Sequence, residues 1–384
     1  MSQRSIVIIG SGLAGYAVAR ELRKLNGGIP ITMLSADHGG FYSKPMLSNV
    51  LATGKTPASL LNSDAAQMSS QLNITIRPYT RVNIIDQSSR TVLLENGEDL
   101  SYSQLVLAVG ADPIRLSLAG DAVDEILSVN DLNDYHHFHK ALVGIKEIAI
   151  FGAGLIGCEF ANDLAVAGYQ VHVIDVSAQP LGRLLPEEGG KYLQDRLAAI
   201  GIRFHLNTKT QRVERIGSRY RLIFDEDRMI EADLVLSAVG LRPRIKLAEA
   251  AGIHVNRGVV TNRYLQTGNA NIFALGDCAE VEGKVLPFVL PITHAARALA
   301  ATVIGAPTAV RYPPMPVLVK TPACPAVVSP PDPVVLGEWQ VDANQEGVKA
   351  LFQDQAGNLH GFALLGAATK EKNAITPLLP PVLA

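Results

Sequence analysis

The chain is poor in cysteine, nearly neutral in charge and free of long apolar runs, and each shortage excludes a class of protein. Three cysteines in 384 residues, Cys158, Cys278 and Cys324, stand far apart with no Cys-x-x-Cys pair. Disulfide frameworks and structural zinc sites need clustered thiols, so neither is expected; no metal is called for, and the pattern fits a reducing cytoplasm. Lys and Arg number 34 against 36 Asp and Glu, a formal charge of −2, which leaves no global positive field for nucleic acid. No apolar stretch approaches the roughly 20 residues that span a bilayer. Met1 to Gln3 run straight into the strand-like Ser5-Ile-Val-Ile-Ile9, leaving no room for a secretory leader. The expectation is a cytoplasmic protein that binds neither membrane nor nucleic acid. Hydrophobic residues at 48 % and charged ones at 18 % exclude intrinsic disorder.

Glycine is what the chain places with care. Arg4-Ser-Ile-Val-Ile-Ile-Gly-Ser-Gly-Leu-Ala-Gly15 recurs as Lys146-Glu-Ile-Ala-Ile-Phe-Gly-Ala-Gly-Leu-Ile-Gly157. Each copy is an apolar run, a glycine turn and a helical stretch (residues 16–24 and 158–167), then a second strand candidate at 31–34 or 170–174. Two βαβ units of mostly apolar strands imply an α/β fold with parallel sheets covered on both faces. In each turn the first glycine allows the sharp bend, the second admits a pyrophosphate and the third lets helix and strand pack closely. Free N–H groups at the helix start then face the phosphates. The candidate cradles are Ile9, Gly10, Ser11, Gly12 and Gly15 in the first unit, and Gly152, Gly154, Leu155, Ile156 and Gly157 in the second. Asp175, eighteen positions past Gly157, is placed to accept hydrogen bonds from a ribose diol and to repel a 2′-phosphate, which favours NADH over NADPH. The first unit has Ser35 there, with Asp37 two residues on, so its ribose is left to Asp37 or to backbone near Met33 and Leu34. Two cradles imply two dinucleotides, commonly FAD and NADH.

Further strands are expected at 91–94, 105–109, 203–206, 234–239 and 271–275, with two more flanking the polar stretch 224–228. Helices are expected at 131–142, 189–200 and 292–304. Eight prolines from Pro313 to Pro333 argue against a regular helix or a central strand in that segment. Beyond it, 348–352 and 359–365 read as strands of a small α+β domain. The division expected is 1–112 plus 241–312 for the first nucleotide-binding domain, 113–240 for the second and 313–384 for the last.

Leu105-Val-Leu-Ala-Val-Gly-Ala111, Leu234-Val-Leu-Ser-Ala-Val-Gly-Leu-Arg-Pro243 and Thr267-Gly-Asn-Ala-Asn-Ile-Phe-Ala-Leu-Gly-Asp-Cys-Ala279, with the two glycine units, resemble the glutathione-reductase-like flavoproteins that carry two Rossmann-like dinucleotide-binding domains. Within that group, Ser43-Lys-Pro-Met-Leu-Ser48, Leu286-Pro-Phe-Val-Leu-Pro-Ile292 and Val319-Lys-Thr-Pro322 look most similar to NADH:rubredoxin reductases and the related flavorubredoxin reductases. The resemblance implies that Gly276 and Asp277 hold the FAD ribityl chain and that main-chain groups at Val82 hold its adenine. It implies that Lys44 and Pro45 lie against the flavin ring, that Val289 and the helix start near Ile292 face its pyrimidine edge, and that Lys320 reaches it from the last domain. Glu159 is implied close to nicotinamide and flavin. Many ferredoxin-reducing relatives carry lysine where this chain has Asn49, which makes Lys44 the candidate partner of Glu159 and the pair the catalytic candidates.

Disulfide reductases supply thiols just after the second strand, and here that region reads Phe41-Tyr-Ser-Lys-Pro-Met46. Thiol exchange is therefore excluded. What the resemblance leaves is a flavin that takes a hydride from NADH and passes electrons singly to rubredoxin, onward to an alkane hydroxylase or an oxidative-stress reductase. Flavorubredoxin or ferredoxin as acceptor is the alternative within the enzyme class, and an NADH-sensing flavoprotein is the alternative outside it. The short last domain suggests a monomer.

Overall fold

The structure is a computed structural model that describes residues 5–225 and 228–384. Residues 1–4, on which the reading of the chain start rests, and 226–227 of the polar turn lie outside the described residues.

Two parallel sheets form the body. The first has the order Ile272–Ala274, Gln104–Leu107, Ile6–Ile9, Ile31–Leu34, Thr75–Arg77; the second runs Ile202–His205, Gln170–Ile174, Glu147–Phe151, Leu234–Ser237. Ile6–Ile9 is buried throughout and Glu147–Phe151 nearly so, as strands flanked by neighbours and covered on both faces must be. Each glycine turn is tied alike to the strand beside it: Gly10 N–H donates to Leu34 C=O and Gly152 N–H to Ile174 C=O, both at 2.8 Å. The repeat thus extends from sequence to hydrogen bonding. Each unit also carries a three-stranded antiparallel meander, Val82–Asp86 to Asp99–Ser101 and Arg212–Ile216 to Met229–Ala232.

Two linkers join the units, Ala111–Pro113 and Leu241–Pro243, which pair as antiparallel strands. Arg244 Nε donates to Asp112 Oδ1 across them at 2.6 Å. Helices Leu13–Leu25 and Leu155–Val166 start earlier than the sequence suggests, directly at the glycine turns, and Val289–Val303 starts three residues before Ile292.

The last domain is a five-stranded antiparallel sheet ordered Val317–Val319, Ala326–Ser329, Leu359–Gly366, Gly347–Gln353, Glu338–Ala343. This corrects the expectation for the proline-rich segment: Ala326–Ser329 is an interior strand, paired on both sides. Pro325 and Pro330 bracket it without interrupting its ladder, so no hydrogen bond is lost. Along Leu359–Gly366, Phe362 and Leu364 pack on Ile375 and Leu379, while Ala363 and Leu365 enter the core shared with the second nucleotide-binding unit. Helix Glu187–Ala198 of that unit lies on the sheet, with Gly189 against Leu365.

Candidate active site

Both cradles have the geometry an anion requires. A Cβ on Gly10 would strike Ala108 C=O and one on Gly152 Ala238 C=O, and both residues have positive φ, at 114° and 100°. A Cβ on Gly15 or Gly157 would strike the carbonyl of its own first glycine. The middle glycines, Gly12 and Gly154, face open space and cap helices that have no side-chain cap and no acidic residue in the first turn. Unsatisfied N–H groups at Gly12–Leu13 and Gly154–Leu155–Ile156 therefore remain available to a phosphate.

At the end of the second strand the two units diverge. Asp175 Oδ2 accepts from Ala153 N–H at 2.5 Å and Oδ1 from Ser177 N–H at 2.7 Å, so its carboxylate is locked beside the cradle. Ser35 cannot do this alone. Its hydroxyl lies 2.5 Å from Ser11 Oγ and donates to Asp37 Oδ1 at 2.6 Å, and Gly39 N–H donates to the same oxygen at 2.9 Å. The first unit thus has its acid two residues later, relayed by two serines. Met33 and Leu34 are buried in the strand, while Ser35 C=O accepts from Thr80 N–H at 2.7 Å and so draws the segment leading to Val82 across the strand ends.

Asp277 stands in the short turn Gly276–Cys278 after strand Ile272–Ala274. Burial pushes its carboxyl above the usual range, and the positive charge of Lys44 opposes the shift. Burial lowers Lys44 in turn, with Asp277 resisting and Arg244 adding to the drop. Lys44 Nζ donates to Asn130 Oδ1 at 2.8 Å, and Asn130 Nδ2 donates to Ala111 C=O at 2.9 Å, fixing which end of the amide faces the ammonium. Helix Val289–Val303 begins nearby: Gly276 packs against Ala14 and Ile292, and the start of this helix also has no side-chain cap.

Glu159 pairs with Lys320, not with Lys44. Lys320 Nζ lies 2.6 Å from Glu159 Oε2, Lys320 N–H donates to Oε1 at 3.0 Å and Ser48 Oγ donates to Oε2 at 2.5 Å. The ammonium also donates to Ser48 Oγ and to Pro45 C=O. The cation that Asn49 does not supply thus arrives from the last domain, some 160 residues away in sequence. Asn49 Oδ1 is itself buried without a hydrogen-bond partner among the described residues. Asp163 and Asn162, one turn beyond Glu159, Ser48 and Asn130 were not singled out in the sequence; the i+3 and i+4 spacing from Glu159 was the available signal for the first two.

All three thiols are free and buried. Burial pushes Cys278 and Cys324 up to about 11, and Cys158 is also raised by burial, so thiolate is scarce at neutral pH. Among the described residues no group of three or more His, Cys, Asp or Glu is placed to hold a metal, and no helix is long and apolar enough to cross a membrane.

Residues 4–301 match the family model described as Pyridine nucleotide-disulphide oxidoreductase. The chain belongs to this family. Residues 309–379 match a second model, Rubredoxin binding C-terminal domain. Relatives named Rubredoxin-NAD(+) reductase, from Alcanivorax borkumensis and Acinetobacter baylyi, are 46 % and 47 % identical over 98 % of this chain, and the matches cover 99 % and 98 % of their own lengths. Among solved structures, a ferredoxin reductase from Rhodopseudomonas palustris superposes with a TM-score of 0.88 at 25 % identity, covering 99 % of this chain and 96 % of that one. As a pyridine nucleotide-disulphide oxidoreductase the protein uses FAD and NADH, although it lacks the paired thiols for which the family is named.

Proposed function

We propose that the protein is an FAD-dependent reductase that takes a hydride from NADH and passes electrons one at a time to rubredoxin. The observation that carries the reading is the Glu159–Lys320 pair, because it joins the helix of the NADH cradle to the segment matching a rubredoxin-binding domain. When bound, FAD supplies a centre that accepts two electrons together and releases them singly.

In this reading Gly10, Ser11, Gly12 and Gly15, with Ile9 behind them, take the FAD pyrophosphate, and Asp37 takes its adenosine ribose through Ser11 and Ser35. Main-chain groups at Met33, Leu34 and Val82 border the adenosine. Gly276 and Asp277 hold the ribityl chain, Asp277 as an acceptor whose charge Lys44 balances. Lys44, Pro45, Lys320 and the capless helix start at Val289 surround the ring, where a cation and a helix N-terminus favour negative charge. Gly152, Gly154, Leu155, Ile156, Gly157 and Asp175 take NADH, and Glu159 meets its nicotinamide end. Residues 1–112 with 241–312, 113–240 and 313–384 act as the three domains of a cytoplasmic monomer.

The test is steady-state oxidation of NADH by purified holoprotein with rubredoxin, flavorubredoxin or ferredoxin as acceptor. Rubredoxin is expected to give the highest kcat/KM. A large preference for either other carrier, or NADH-driven assembly without carrier turnover, overturns the reading.

A further inference from the structure

Helix Leu155–Val166 opens at the NADH cradle, yet its far side is occupied by contacts that have no part in holding nucleotide. Asp163, one turn past Glu159 and only 5 % exposed, accepts Leu51 N–H on Oδ2 at 2.8 Å and Ala52 N–H on Oδ1 at 3.0 Å. Asn162 Oδ1, between them on the helix, accepts Ala323 N–H at 3.1 Å. One helical face therefore grips two loops from two other parts of the molecule. The first loop carries Pro45 and Ser48, which both accept from the Lys320 ammonium, and the second follows Lys320; that ammonium and the Ser48 hydroxyl in turn donate to the Glu159 carboxylate. Ser48 lies three residues before Leu51, so where Asp163 holds that backbone decides where the Ser48 hydroxyl meets Glu159. Burial raises the Asp163 carboxyl and the loop N–H groups pull it back down, so its ionised form depends on that grip.

We propose that Asp163 is a positioning residue for hydride transfer: by holding the backbone at Leu51 and Ala52 it places Ser48 on Glu159 and keeps Lys320 seated in the same cluster. This rests on the assignment of Glu159 to the nicotinamide end of the site, not on the identity of the electron acceptor. A carboxylate is required because two N–H groups approach its two oxygens. Asparagine, of the same shape, accepts one and turns its own NH2 group against the other. A misplacement of order 1 Å in such a site costs up to about a hundredfold in rate.

The test compares Asp163→Asn, Ser48→Ala and the double variant as FAD-loaded holoenzymes, by single-turnover reduction of the flavin with NADH and by hydrogen exchange of residues 44–53 and 317–322. D163N is expected to slow reduction about tenfold with the half-saturating NADH concentration unchanged, and to raise exchange in both segments. S48A is expected to slow reduction comparably, and the double variant no further, since both act through one contact. If exchange rises at 44–53 alone while the reduction rate holds, Asp163 merely fastens an interface and the proposal fails. Multiplying rate losses in the double variant overturn it as well. Should D163N not fold, Asp163→Glu, which keeps both acceptors but shifts them by one methylene, takes its place: slower reduction with raised exchange at 44–53 and 317–322 upholds the proposal, and an unchanged rate refutes it. Reduction by NADH needs no carrier, so a wild-type enzyme that ignores rubredoxin would count against the acceptor assignment and leave this measurement intact.

Discussion

Lys320 and Glu159 meet at 2.6 Å with the carboxylate side chain 6 % exposed and the lysine 23 %. Neither is near the other in sequence, and each comes from a different sheet system. The pair is buried enough that removing one partner strands a charge, yet Ser48 and the Lys320 N–H give the carboxylate further donors.

Lys320→Met is therefore expected to destabilise the holoprotein by about 3 kcal/mol, the range for breaking a buried pair from one side. Adding Glu159→Gln should restore most of the loss, because the stranded charge goes with it. Urea unfolding of the two variants beside wild type reads this directly, and equal stability of the single and double variants would refute it.

Asp175→Ala is expected to raise KM for NADH by about tenfold while leaving kcat within a few-fold of wild type, since the carboxylate contributes binding common to ground and transition states. Asp175→Asn keeps one acceptor for the Ala153 N–H and should fall between the two. An unaltered KM for both would remove Asp175 from the nucleotide site.

Asp277 gives a pH signature. Its carboxyl is raised by burial, so between the ordinary aspartate pKa and the raised native one the folded chain holds a proton that the unfolded chain has released. Folding is then favoured by protons, and stability falls as pH rises through that window. Asp277→Asn lacks the ionisation. In flavin-free protein its stability margin over wild type should widen from about pH 4 toward neutrality, as midpoints of thermal unfolding at several pH values would record. The same variant should retain less FAD through purification.

Replacing Cys158, Cys278 and Cys324 together by alanine should leave NADH-driven reduction of the carrier largely intact, with a modest loss of thermal stability from three buried side chains. A loss of turnover beyond the loss of folded protein would bring sulfur chemistry back.

The parallel sheets were legible because their signals are local: an apolar strand, three glycines at fixed offsets and a helix lie within about 25 residues. Asp175 was legible for the same reason. Asp37 stood open beside Ser35, since its part depends on two serine hydroxyls that meet only after folding. The sequence points to Lys44 as partner of Glu159 only because Asn49 stands where relatives carry lysine, whereas Lys320 is delivered by a sheet whose position no local pattern encodes. Strand Ala326–Ser329 was missed for a related reason. Proline density was averaged over the segment, while a ladder responds only to whether its own members have N–H groups, and Ala326, Val327, Val328 and Ser329 all do.

The second nucleotide unit and the terminal sheet bury one continuous set of side chains: Leu193 and Leu197 of the helix with Ala326, Val348, Ala350 and Leu365 of the sheet. Tyr192 and Arg196 then clasp Gln345 C=O at the rim. A gene shortened after codon 312 would thus yield a product with a raw greasy flank, prone to clump, so the terminal sheet cannot be traded like a detachable cartridge. Any swap between homologues has to bring residues 187–198 along with it.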